Sequence, residues 1–223
     1  MSEISETRKS ELRQSEDYKK TKEILGKLYD NVTNLQSEMG FLSARYKIFW
    51  KNSNELEDKW DDAEEVSIIL RRLKGEVQYP NERLKSMSKM LAYLGLVESL
   101  GTTLMDVALL LFIANGTEVH TRGLVRHVTK LEELKDVDTG YKLKMLHDEG
   151  LDIFQKLFNQ DIRNVIAHLK FKIDDDGNIR QTDNSPIHID EKISDFWYAV
   201  DVFNLVLQDI GFLRFTRLSE GVS

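Results

Sequence analysis

From Leu25 onward the chain repeats an apolar residue at steps of three and four: Leu25, Leu28, Val32, Leu35, Met39, Leu42, Tyr46 and Phe49. A mean period of 3.5 residues draws one narrow apolar stripe along a helix, with charged residues on the other faces. Such a helix needs a neighbour along its length, from this chain or from a second copy, and an intramolecular hairpin or bundle is the preferred arrangement. Breakers are scarce as well. The 223 residues include only 12 glycines and two prolines, Pro80 and Pro186. Long helices with few breakers point to an all-α protein rather than a many-stranded sheet.

The stripe stays in phase through Leu56, Trp60 and Ala63, but "KNSNELED" offers Ser53 and Asn54 as caps, which predicts a break there. Residues 1 to about 12 are expected to fray. The following helix should close near Lys74 and Gly75, and "GEVQYPNERLK" reads as a linker, with Pro80 stopping one helix and Asn81 opening the next. The most apolar stretch then runs to Asn115 and Gly116. One or two short helices are expected over 117–136, and Asp138 or Thr139 should cap a long helical stretch, bent at Gly150, that reaches His168. Beyond it "LKFKI", "DDDGN" and "IRQ" alternate and turn as a small β-hairpin does. A final helix is expected from Ser194. These signals divide the chain into an N-terminal long-helix extension, residues 1–78, and a helical domain, residues 79–218.

Several function classes are excluded early. The formal net charge of −7 opposes broad, non-specific nucleic-acid binding, which needs a basic face. No cysteine is present, so disulfides and thiolate metal sites are ruled out. His120 and His127 are seven apart, and no pair of histidines has the spacing of a metal site on a helix. No phosphate loop, dinucleotide fingerprint or nucleophile elbow occurs, so no cofactor is expected. The stretch from Met90 to Ala114 carries Glu98, Thr102, Thr103 and Asp106, which suits a buried helix better than a membrane span. With a polar N-terminus, the expectation is a cytoplasmic protein with no membrane partner.

Glu98, Thr102 and Asp106 recur at i, i+4 and i+8, and a buried carboxylate requires a partner. Arg163 is the natural one for Glu98 or Asp106. Arg163 belongs to "IRNVIAH", near the expected end of a helix whose last residue is His168. Five residues on a helix turn through about 500°, which leaves Arg163 and His168 about 140° apart. They cannot meet on one straight helix. Either the helix ends near Ala167, or two copies face each other. By residue chemistry alone, His168 is a favourable cation at a helix C-terminus and Arg163 pairs with Asp161 or another carboxylate.

The string "IRNVIAH", with a short hairpin "KFKIDDDGNI" and a closing helix after it, resembles the HEPN superfamily, whose hallmark is R-x(4–6)-H with a polar residue after the arginine. The resemblance covers about residues 80–215 and leaves the N-terminal helices outside. It implies a HEPN-like helical bundle, a homodimer in which the two motifs face each other, and metal-independent endoribonuclease activity on RNA, in the setting of a toxin or defence component. Arg163, Asn164 and His168 are then the catalytic residues, with Lys170, Lys172 and Arg180 as a modest basic rim. The superfamily also has non-catalytic members. The alternative is therefore an interaction module that recruits a protein partner through its N-terminal helices.

Overall fold

The computed structural model describes residues 4–37, 44–76, 81–121, 124–126, 133–134 and 137–212. Helix α1 spans Glu6–Gln14, α2 Glu16–Ser37 and α3 Ala44–Glu76. One continuous helical run follows, made of α4 (Glu82–Leu96), a π-helical turn (Val97–Gly101) and α5 (Thr102–Ala114). Strands β1 (Val119–Thr121) and β2 (Leu124–Arg126) pair antiparallel. Then come α6 (Thr139–Asp148), α7 (Ile153–Leu157), α8 (Gln160–Ala167), the antiparallel pair β3 (Phe171–Ile173) and β4 (Ile179–Gln181), and α9 (Ile189–Asp209).

Helix α5 has apolar residues on every side, broken only by Thr102, Thr103 and Asp106, and all its residues from Thr103 to Ala114 are buried. A helix with no polar face must be the one that others surround. Helices α2 and α3 both lie along it, α3 also covers α4 and the π turn, and α9 packs against α2, α4 and α7. The run Glu82–Ala114 is long and apolar enough to cross a membrane, but 83% of its apolar window is buried inside this protein. Its apolar surface is used by the fold itself.

The stripe residues Leu25, Val32 and Phe49 are buried, and so are Leu56, Trp60 and Ala63. One core cluster runs from Leu12 in α1 to Phe212 beyond α9. The stripe therefore finds its neighbours within the chain, and a division at residue 78 cuts through shared core. Met39 and Leu42 lie outside the described residues.

Several local expectations are corrected. Helix α3 runs unbroken through Ser53, which is fully buried, so tertiary packing overrides the cap signal. The N-terminus is ordered from α1, where Ser5 caps the helix and Leu12 is buried. Directly after α5 a two-stranded ribbon forms, with Val119 opposite Arg126, where a helix was expected; Glu133 and Leu134 are helical as expected, and residues 127–132 and 135–136 lie outside the described residues. The stretch from Asp138 to His168 is three helices. Gly150 breaks it at φ +88°, and Phe158 leaves the helical region at φ −119°, ψ 85°. Helix α9 begins at Ile189, five residues before Ser194, with Asp190 and Glu191 in its first turn. The caps at Asn81, Asp138 and Asn115 are as expected, and Gly116 takes the left-handed position after α5.

Candidate functional site

Helix α8 is only eight residues long, so its position is set by its two ends and its apolar side. At the start, the Asn159 side chain accepts from the Ile162 N–H at 3.1 Å. Ile162 and Ile166, one turn apart, are the buried pair that seats the helix, and it rests against α4. Beneath its start lies the fully buried Tyr93 of α4, whose hydroxyl is pushed up to about 12 by burial, against the pull of the Asn159 backbone.

The far end is a reciprocal stop. The Lys170 N–H donates to the Val165 carbonyl at 2.8 Å, and the Leu169 N–H donates to Ile166 at 3.1 Å. That pattern places the residue after the cap in the left-handed region, where glycine is usual. Here it is Leu169, at φ 52° and 73% exposed. A bulky residue in that conformation costs about 1–2 kcal/mol. His168 is therefore the C-cap, and its exposed imidazole makes no hydrogen bond among the described residues.

Arg163 projects from α8 to the π turn of the central run. Its Nε donates to Glu98 Oε1 at 2.5 Å, and its Nη1 donates to Asn164 Oδ1 at 3.3 Å. Both charged side chains remain partly at the surface, Arg163 32% and Glu98 42% exposed. The partner is thus Glu98, not the neighbouring Asp161. Asp106, the next carboxylate along the run, is bound elsewhere: Lys142 of α6 reaches it at 3.0 Å and Lys59 of α3 at 3.6 Å.

The π turn is the feature that the sequence reading missed. One extra residue in a helical turn leaves carbonyls poorly paired, and such turns recur at functional sites. Hydroxyls take up the loosened carbonyls here. Ser99 donates to Gly95 O at 2.7 Å, Thr102 to Glu98 O at 2.7 Å, and Thr103 to Ser99 O at 3.0 Å. Thr102 therefore serves the backbone and does not continue a polar line. Gly101 allows close approach, since a Cβ there would stand 3.3 Å from the Phe158 ring. Phe158 directly precedes the cap of α8, so this contact brings the motif helix against Glu98. The sequence signal was available: Ser99, Gly101, Thr102 and Thr103 crowd together directly after Glu98 in the most apolar stretch.

The structure thus joins Arg163, Asn164 and Glu98. It does not link His168 to them through a side chain; the histidine N–H donates to the Asn164 carbonyl at 3.0 Å. In the basic rim, Lys172 stands opposite Arg180 across the β3–β4 pair, so those two share one face, while Lys170 lies outside the strand. Comparison with known families, with curated proteins and with solved structures gives no match for this chain.

Two exposed features lie close in the fold to the motif. On α4, Leu84, Met87 and Leu91 form one apolar stripe, with Leu91 57% exposed, on the helix against which α8 rests. On α3, which packs on α4, Val66 and Ile69 are exposed too.

Proposed function

We propose that this chain is a HEPN-type endoribonuclease that works as a homodimer, with Arg163, Asn164 and His168 of two copies lining one groove. The observation that carries this reading is the tethered arginine. Glu98 holds Arg163 by its Nε, which leaves guanidinium N–H groups at the surface on the same short helix as an exposed, unbonded imidazole.

RNA contains its own nucleophile, so the reaction needs no cofactor. His168 of one copy takes the proton from a 2′-hydroxyl, and the oxygen attacks the adjacent phosphorus. Arg163 donates to the non-bridging oxygens as negative charge builds on the phosphorane, the role suited to a forked, always-charged group. The bond from phosphorus to the 5′ oxygen then breaks, and that oxygen takes a proton from His168 of the partner subunit. The products are a 2′,3′-cyclic phosphate and a 5′-hydroxyl. Asn164 orients the guanidinium through its side-chain oxygen.

Because α8 ends at Ala167 and no side-chain contact joins His168 to Arg163 among the described residues, a groove shared by two copies is the simplest way for both to reach one phosphate. Leu169 adds to this, because an exposed leucine held in a strained backbone conformation next to His168 is more readily understood if another surface covers it. The α4 stripe offers further apolar area.

The test is RNA incubated with the purified protein and a chelator. Wild type is expected to leave cyclic-phosphate ends, and His168→Ala or Arg163→Ala should lower the rate by about 10²–10⁴. Equal background from wild type and His168→Ala would remove the enzyme. The exposed apolar stripe of α4 favours a second reading, a non-catalytic module that binds a protein through that face. It predicts binding that is lost on Leu91→Glu and unchanged by Arg163→Ala.

A further inference from the structure

A cavity of about 420 Å³ opens between the β3–β4 hairpin, α4 and the first turn of α9. Its apolar side includes Ile179 and Ile187, each 5% exposed, joined by an N–H···O bond of 2.9 Å from Ile187 to Ile179. Lys89 and Asp190 line it too, but they neutralise each other at 2.7 Å. Three other lining side chains are exposed and without a side-chain ion pair among the described residues: Arg180, His188 and Glu191. Their chemistries differ: a forked donor, a flat ring and a forked acceptor.

We infer that this cavity is a base subsite for guanine in a single RNA strand. Guanine alone among the four bases presents two adjacent acceptors, O6 and N7, next to two adjacent donors, N1–H and the 2-amino group. A guanidinium satisfies the first pair with two parallel bonds, and a carboxylate satisfies the second. Arg180 and Glu191 supply those two groups, and the His188 ring supplies a stacking surface. The size falls within the range of small-ligand sites. Adenine, cytosine and uracil each leave one of the two forks partly unmatched, and the loss of that paired set of bonds is what discriminates.

The subsite deepens the nuclease reading and rests on it for its substrate. Arg180 lies opposite Lys172 in the hairpin, and Lys172 is four residues from His168. Four residues span at most about 14 Å. A guanine in this cavity therefore lies within a few nucleotides of the phosphate at the motif, and cleavage would fall at a fixed distance from guanosine.

The experiment titrates full-length protein with 3′-GMP, 3′-AMP, 3′-CMP and 3′-UMP by calorimetry, with no cleavage required. GMP is expected to bind at least about tenfold more tightly than the others, and Arg180→Ala or Glu191→Gln should each weaken it about tenfold or more. Both side chains are exposed, and circular dichroism checks that the variants fold. Equal binding of the four nucleotides, no binding of GMP, or unchanged GMP affinity in both variants would overturn the subsite. RNA cleavage without base preference removes the subsite and keeps the nuclease. Selective GMP binding without cleavage does the reverse.

Discussion

Glu98 and Asp106 sit eight residues apart on one helical run, yet the fold treats them in opposite ways. Asp106 is closed in, about 10% exposed at its side chain, between Lys142 and Lys59. Glu98 reaches the surface and meets Arg163 while both stay partly wet. The buried pair fastens α6 and α3 to the central helix and leaves no free edge for a ligand. The half-exposed pair fixes one side of a cation and leaves the other side usable. A salt bridge is thus a structural joint or a piece of a site according to how much water remains around it.

The sharpest break of this comparison is Asp106→Ala. It strands Lys142, 7% exposed, without its main partner. Loss of about 3–5 kcal/mol in denaturant unfolding is expected. Replacing both with apolar residues, Asp106→Leu with Lys142→Met, should recover most of that loss. If Asp106→Ala unfolds no more easily than wild type, the joint is not structural.

Glu98→Gln reads the other half. Its effect on stability should stay within about 1 kcal/mol, because both groups are partly solvated. In the nuclease reading, RNA cleavage should nonetheless fall, and that of Arg163→Lys should fall with it, since an ammonium cannot bond Glu98 and a phosphate through one planar fork. Parallel unfolding and cleavage assays separate the two effects.

Leu169→Gly relieves the left-handed strain at the end of α8 and is expected to raise stability by about 1 kcal/mol. In the dimeric reading it should also weaken association, measured by sedimentation. Gain in stability without loss of association would place Leu169 outside the interface.

The last prediction lies far from the motif. At the end of α9, Arg13 grips Asp209 with two bonds, at 2.8 and 2.9 Å, and the buried Tyr18 hydroxyl donates to the same carboxylate. Arg13 first, then Tyr18, hold Asp209 below the usual carboxylate range, against burial. A lowered folded value means that the stabilisation is present above the ordinary value near 4 and fades as pH falls through the folded one. Asp209→Asn should therefore cost about 1 kcal/mol at pH 7 and progressively less below about pH 4, in melts across pH. A difference that grew on acidification would reverse the assignment.

Much of the fold was legible because periodicity is local. The stripe from Leu25 to Phe49 announced helices that need neighbours, and Asn81, Asp138 and Asn115 marked ends that the structure keeps. The hairpin after His168 was legible from alternation and a turn. Strands of three residues, such as Val119–Thr121, are too short to show a period, so β1 and β2 were not. The cap signal at Ser53 misled because the residue is buried in the middle of α3.

The candidate site divides along the same line. "IRNVIAH" singled out Arg163, Asn164 and His168, and helical geometry showed that the first and last cannot meet on one straight helix. The sequence by itself determined that this is a helical chain with two carboxylates, Glu98 and Asp106, on its most apolar stretch in need of cations; of the two expected to be buried, only Asp106 is. Only the tertiary structure decided which cation each received: Arg163, 65 positions from Glu98, and Lys142, 36 positions from Asp106. Charge is written in the residue, but its free energy depends on what replaces its water, and that comes from chain segments far away in sequence.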